Sequence, residues 1–140
     1  MLNQEQIMQI LPHRPPMLLV DQITELDETH AVGTLTLKGD EFFFQGHFPG
    51  NPIMPAVFQL EALAQVGGVA LLSSPEFRGK TAVYTGIDKA KFRAMVHPGD
   101  TLRMEIRFVK RRGPLAVAEG TAYVGDQKAA EATIQCMVVD

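Results

Sequence analysis

The spacing of apolar residues changes period along the chain, and each change marks an element. In residues 3–10 (NQEQIMQI), Ile7 and Ile10 lie three apart, which predicts a short helix. Pro12, Pro15 and Pro16 stop it, because each removes a donor and constrains the residue before it. Residues 17–26 read as a strand and 30–38 as another; in the second, Val32, Thr34 and Thr36 alternate with Gly33, Leu35 and Leu37. A loop, GHFPGNP, follows. Pro55 suits the first turn of a helix, where its missing N–H does no harm. Val57, Leu60, Ala64, Gly67 and Leu71 then recur at helical spacing and predict a long helix over about residues 55–73. Gly67 and Gly68 weaken that helix but permit close approach to a sheet. Pro75 ends it. From there the period is two. Lys89, Lys91 and Arg93 point one way, and Ala90, Phe92 and Ala94 the other. HPGD is a turn. Leu102, Met104, Ile106 and Phe108 alternate with Arg103, Glu105 and Arg107, and residues 115–124 and 128–138 make two strands about a GDQ turn. The order predicts an α+β fold, a mostly antiparallel sheet curled around one apolar helix that buries Phe58, Leu60, Leu63 and Leu71.

Composition narrows the class. A chain of 140 residues suits one domain over 1–140, and 46% apolar with 21% charged residues is an ordinary globular balance. No apolar run approaches the roughly 18 residues that span a bilayer, so no membrane association is expected. MLNQEQIMQI lacks a basic stretch before a long apolar block, so no secretory signal is expected and the cytoplasm is the default. The net charge of −3 excludes a general polyanion binder, and no nucleic-acid motif is present. Cys136, the one cysteine, excludes an intrachain disulfide and reads as a small residue of the last strand.

The candidate chemistry is concentrated. Between Phe42 and Pro75 only His47 and Glu61 titrate near neutral pH. A carboxylate in such apolar surroundings either finds a partner or holds a proton. An imidazole and a carboxyl with opposite environmental biases are the ingredients of acid–base chemistry. The helix start adds a third: the N–H groups of Ala56 and Val57 lack intrahelical partners at the positive end of the dipole and can hold a carbonyl oxygen. Spacing alone does not say whether His47 and Glu61 meet within one chain or across a dimer. The bland alternative is a locally hydrogen-bonded His and a surface Glu. Phe42, Phe43, Phe44, Phe48, Ile53, Met54 and Phe58 either pack a core or line a tunnel. Lys89, Lys91 and Arg93 form one basic row and Lys110, Arg111 and Arg112 a second cluster; each is either a solvated face or a docking surface. His13, His30 and His97 read as structural or exposed. No ligand spacing suggests a metal, and neither GxGxxG, a P-loop nor GxSxG is present, so no cofactor is implied.

LPHRPPMLLVD, FFFQGHFPGNPIMPAVFQLEALAQ and YTGIDKAKF…VHPGD together resemble the FabZ family, the 3-hydroxyacyl-acyl carrier protein dehydratases of type II fatty acid synthesis. The likeness runs from about Gln6 to Met137, and its specific element is HFPGxPIxPxVxxxEAxAQ. FabA shares HFPG but usually has Asp where Glu61 stands, so Glu61 favours the FabZ type. The resemblance implies a hot-dog fold, which agrees with the layout above. It implies His47 and Glu61 as the catalytic pair, contributed by opposite protomers of a homodimer, with dimers assembling as trimers. It implies reversible loss of water from a (3R)-3-hydroxyacyl thioester to give the trans-2-enoyl thioester, with His47 taking the α proton. Glu61, kept protonated by its apolar setting, would protonate the departing hydroxyl. Phe48, Gly50, Met54, Pro55, Ala56, Val57 and Phe58 are the implied substrate contacts. The two basic groups are the implied docking surface for acidic acyl carrier protein. Two positions depart from the family pattern. Ala56 stands where Gly is common, and the family's tunnel-gating Tyr aligns with Val83, so Tyr84 is given no gating role. A dehydratase of a polyketide or other specialised acyl pathway, and a non-catalytic acyl-binding subunit, are the alternative readings.

Overall fold

Asn3 starts the first helix, α1 (Gln4–Met8): its side chain accepts from the Gln6 N–H at 2.9 Å, and the Gln6 side chain accepts from the Asn3 N–H at 2.9 Å. The computed structural model describes residues 1–140. After α1 come β1 (Gln22–Leu26), β2 (His30–Thr36), a single 3-10 turn (Phe42–Phe44), α2 (Ala56–Leu72), β3 (Thr81–Phe92), β4 (Thr101–Arg112), β5 (Leu115–Val124) and β6 (Gln127–Val139). The six strands form one antiparallel sheet in the order β1-β2-β4-β5-β6-β3. No helix is long and apolar enough to cross a membrane.

The sheet curls around α2. Leu60, Leu63, Val66 and Leu71 are buried, and one continuous core links the helix to β2, β4, β5 and β6. Close approach requires glycine at two crossings. A Cβ on Gly33 would lie 2.9 Å from Val66 Cγ2 and 3.1 Å from the Gln22 carbonyl, and one on Gly120 would lie 2.7 Å from Ile106 Cδ1. Gly67 faces Ile106 of the sheet as expected, whereas Gly68 faces Leu11 of the N-terminal segment.

Three expectations change. The first strand begins at Gln22, not residue 17. Leu18, Leu19 and Val20 are buried, but their segment docks on α2: the Leu19 N–H donates to Gln65 Oε1 at 2.7 Å and Gln65 Nε2 donates to the Met17 carbonyl at 2.8 Å. Helix contacts thus replace a ladder. Second, Val57 is 65% exposed, although its spacing placed it on the buried face. Third, the simple alternation of β3 is broken by a bulge between Asp88 and Lys91, where Lys89 has φ 53°. Lys91 and Arg93 stay outward, because Lys91 opposes Glu131 and Phe92 opposes buried Ala130.

Strand β3 is a sheet edge of 12 residues. Ile87 and Phe92 point to the inner side of the curl, opposite buried Ile134 and Ala130, yet each is 46% exposed. Met95, which borders one cavity with Phe92, extends this uncovered apolar surface. A long edge with apolar side chains is the kind of surface that proteins normally cover.

Candidate active site

The GHFPGNP loop turns at Gly46 (φ 86°) and Gly50 (φ 74°), conformations that favour glycine. Phe48 and Asn51 exchange backbone hydrogen bonds of 2.9 and 2.8 Å, and the Ile53 N–H donates to the His47 carbonyl at 2.9 Å. The imidazole is held as firmly as its backbone. His47 Nδ1 lies 2.8 Å from the Ile53 carbonyl, and the ring stacks on Phe48 with centroids 4.0 Å apart. A carbonyl only accepts, so Nδ1 carries a proton and Nε2 is the ring nitrogen left to act on a substrate.

His47 borders an open cavity of about 500 Å³ with Met54, Ala56, Gln59 and Phe92. Pro55 is the N-cap of α2, one residue before its expected place. No side chain caps the helix, and neither Ala56 nor Val57 N–H makes a backbone hydrogen bond. The donors expected at the helix start are therefore available, and Ala56 lies on the cavity wall.

Glu61 borders a different cavity, of about 220 Å³, with His13, Gln65, Ala82, Tyr84 and Cys136. Gln65 Nε2 donates to Glu61 Oε2 at 3.0 Å. His13 Nε2 stands 3.6 Å from the same oxygen, an ion-pair separation longer than a hydrogen bond. Burial pushes the Glu61 carboxyl up, but the contacts with His13 and Gln65 outweigh it and hold the group below its ordinary value. That corrects the expectation of a carboxyl kept protonated by apolar surroundings: within one protomer two polar side chains, His13 and Gln65, contact it. The Tyr84 hydroxyl donates to the Leu60 carbonyl at 2.6 Å, pinning β3 to the helix beside Glu61. Burial, with the negative Glu61 nearby, pushes the Tyr84 hydroxyl well up.

One protomer therefore does not bring His47 and Glu61 into one cavity. Both cavities abut β3, however, the His47 cavity near Phe92–Met95 and the Glu61 cavity at residues 82–84. The other expected contacts are dispersed. Phe48 is exposed, Gly50 lies at the exposed loop tip, and Met54 is buried in the wall of the His47 cavity. Phe58 packs against Phe42 and Phe43 (centroids 5.5 and 5.2 Å apart) and lines neither cavity. The basic groups are separated. Arg93 lines the His47 cavity and pairs with Glu131 at 3.1 Å. Lys110 lies three strands away, level with Gln135 and Gly86, and Arg111 is bound to the Glu28 carbonyl at 3.1 Å.

Sequence reasoning missed His13, Gln65 and Tyr84. Gln65 had a signal, since it stands one turn after Glu61. Nothing local marks His13, which is 48 positions from Glu61 by residue number.

Comparison with known proteins adds the context. Residues 11–133 match the model of the FabA-like domain. The chain is 50% identical over 139 residues to a 3-hydroxyacyl-[acyl-carrier-protein] dehydratase FabZ of Clostridium acetobutylicum, covering 99% of each. It is 52% identical over 135 residues to the FabZ of Desulforamulus reducens, covering 96% of this chain and 95% of that one. In structure it is similar to the dehydratase heterocomplex ApeI:P from Xenorhabdus doucetiae, with a TM-score of 0.83 at 18% identity over 96% of this chain and 91% of that one. At that identity the last likeness speaks for the fold alone, the curled sheet around a helix.

Proposed function

Since the chain belongs to the FabA-like family, and within it to the FabZ dehydratases, it is a 3-hydroxyacyl-acyl carrier protein dehydratase of fatty acid synthesis, and we propose that His47 and Glu61 carry its chemistry from opposite subunits of a homodimer. The observation that carries this reading is the placement of two incomplete cavities at the two ends of one uncovered edge strand. Two copies pairing antiparallel along β3 set residues 92–95 of one against residues 82–84 of the other. Each His47 cavity then opens onto the other subunit's Glu61, and Ile87, Phe92 and Met95 lose their exposure. Three such dimers make the hexamer that the sequence resemblance implies.

In the joined site the thioester carbonyl of the 3-hydroxyacyl chain accepts from Ala56 and Val57 N–H, which stabilise the enolate that forms. His47 Nε2 removes the α proton; its Nδ1–H stays on the Ile53 carbonyl and keeps the ring in register. The C3–O bond breaks as the Glu61 side supplies a proton, and water leaves. The electron pair of the lost C–H bond becomes the double bond of the trans-2-enoyl product. Every step uses side-chain and backbone groups alone. Lys89, Lys91 and Arg93, with Arg93 in the wall of the His47 cavity, form the docking surface for the acidic carrier protein. Lys110, Arg111 and Arg112 lie far from that entrance and contribute long-range charge only. A carrier-protein-bound substrate supports the reading of a cytoplasmic protein.

The test is turnover of 3-hydroxybutyryl-acyl carrier protein, followed by enoyl absorbance. His47→Ala and Glu61→Gln should each lower kcat by about a hundredfold or more with circular dichroism unchanged. Full activity in either variant contradicts the assignment, and release of free thiol identifies a thioesterase instead.

A further inference from the structure

The Glu61 cavity poses a problem for the chemistry. A group that must give a proton to a leaving hydroxyl is held toward its anion. The structure points to the side chain that resolves this, and we propose that His13 is a positioning residue that shares one proton with Glu61 and returns it to the carboxyl as the substrate hydroxyl leaves. The inference rests on the reading of Glu61 as the acid.

Geometry carries it. His13 Nε2 is 3.6 Å from Glu61 Oε2, an ion-pair distance that a side-chain shift of a few tenths of an ångström closes to a hydrogen bond, and both side chains border the same small cavity. His13 Nδ1 is buried with no hydrogen-bond partner. With Nε2 turned to Glu61, Nδ1 carries the ring's other proton whichever partner holds the shared one, and no acceptor on the far side of the ring fixes the shared proton there. His47 is the opposite case: its Nδ1 is committed to the Ile53 carbonyl at 2.8 Å. No other group of its own protomer facing Glu61 can take the part. Tyr84, from β3, has its hydroxyl proton directed to the Leu60 carbonyl. The Cys136 thiol, from β6, is pushed up by burial and stays neutral. Gln65, one turn along α2, fixes Oε2 but does not ionise.

The protons balance. Before reaction the His13–Glu61 pair holds one proton beyond its fully deprotonated state. The C3–O bond breaks, the oxygen takes that proton from the carboxyl and leaves as water, and the α proton sits on His47. Transfer through solvent from His47 back to the pair restores the starting state.

The test is the pH profile of kcat/KM for 3-hydroxybutyryl-acyl carrier protein in the wild type, His13→Gln and Glu61→Gln. Without His13 the acid is carboxyl alone and loses its proton at lower pH. The His13→Gln deficit should be within about threefold near pH 6 and exceed about tenfold near pH 8, with KM little changed. A deficit equal at every pH, one that grows toward acid, or none at all overturns the proposal. If His13→Gln does not fold, His13→Ala assayed near pH 8 with added imidazole decides: restored turnover supports the shared proton, and failure to restore it in folded protein overturns it. Full activity in Glu61→Gln removes the acid assignment itself, whereas an inactive Glu61→Gln beside a flat His13 deficit removes only the role of His13.

Discussion

The two ends of β3 border cavities built in opposite ways. At the His47 end the ring's hydrogen-bond partner is backbone: the Ile53 carbonyl orients it, and Ala56, first residue of a helix start with bare N–H groups, lines an open, mostly apolar space. At the Glu61 end the partners are side chains, His13 from the N-terminal segment and Gln65 from the helix, while Tyr84 of the sheet is tied beside them to the Leu60 carbonyl. The first end is fixed by a loop of a few residues. The second exists only once the whole fold has assembled. A base needs a free lone pair and fixed orientation, which a local turn supplies. An acid needs a tuned environment, which long-range packing supplies.

That difference can be probed at several levels. The largest effect is expected at the two groups proposed to react, where His47→Ala and Glu61→Gln should each cost about a hundredfold or more in kcat. Next comes the scaffold of the acid end. Gln65→Leu removes the donor to Glu61 and leaves the Leu19 N–H and Met17 carbonyl without partners, which should cost about 1–3 kcal/mol in a urea melt and about tenfold in kcat. If that variant keeps full stability, the polar scaffold is not what holds the N-terminal segment. A smaller, binding effect is expected at the base end. Charge reversal at Lys91 and Arg93 should raise KM for the carrier-protein substrate by about tenfold at low salt and leave a short pantetheine thioester unaffected. The same reversal at Lys110 and Arg112 should change KM by less than about twofold. Equal effects at both places would remove the docking assignment.

The smallest effect lies outside both cavities. His30 Nε2 is 3.1 Å from Glu25 and its Nδ1 2.8 Å from Asp27, and these carboxylates hold its imidazole above the ordinary value. A raised folded value means that protonated His30 stabilises the fold. The contribution is complete below the unfolded imidazole value of about 6.5 and disappears as pH rises through the folded one. The Tm advantage of wild type over His30→Gln should therefore be seen in mild acid and vanish in mild alkali, never exceeding about 1 kcal/mol at this exposed site. An advantage that grows with pH contradicts the ion-pair account.

What was legible in the sequence follows the same division. The period-two pattern located β5 and β6 to within a residue at each end and residues 102–108 of β4, because each has one face on the core; β4 runs on to Arg112. The helix was placed within a residue at each end by Pro55 and the apolar spacing. The strand expected from residue 17 failed because buried apolar residues look alike whether a ladder or a helix satisfies their backbone; here Gln65 does. Val57 was read as core because its apolar character and helical spacing match the buried face, yet it is exposed. His47 and the helix start were visible in a short motif. His13 was not, since its role depends on a contact that no local pattern encodes.

The shared site is tested most directly by mixing two inactive proteins. His47→Ala and Glu61→Gln subunits, exchanged by mild denaturation and refolding in equal amounts, form half of their dimers as hybrids. In each hybrid one site carries both substitutions and the other carries neither, so about a quarter of wild-type turnover should return. Turnover that stays at the level of the separate variants, in mixtures shown to have exchanged, contradicts a site divided between two subunits.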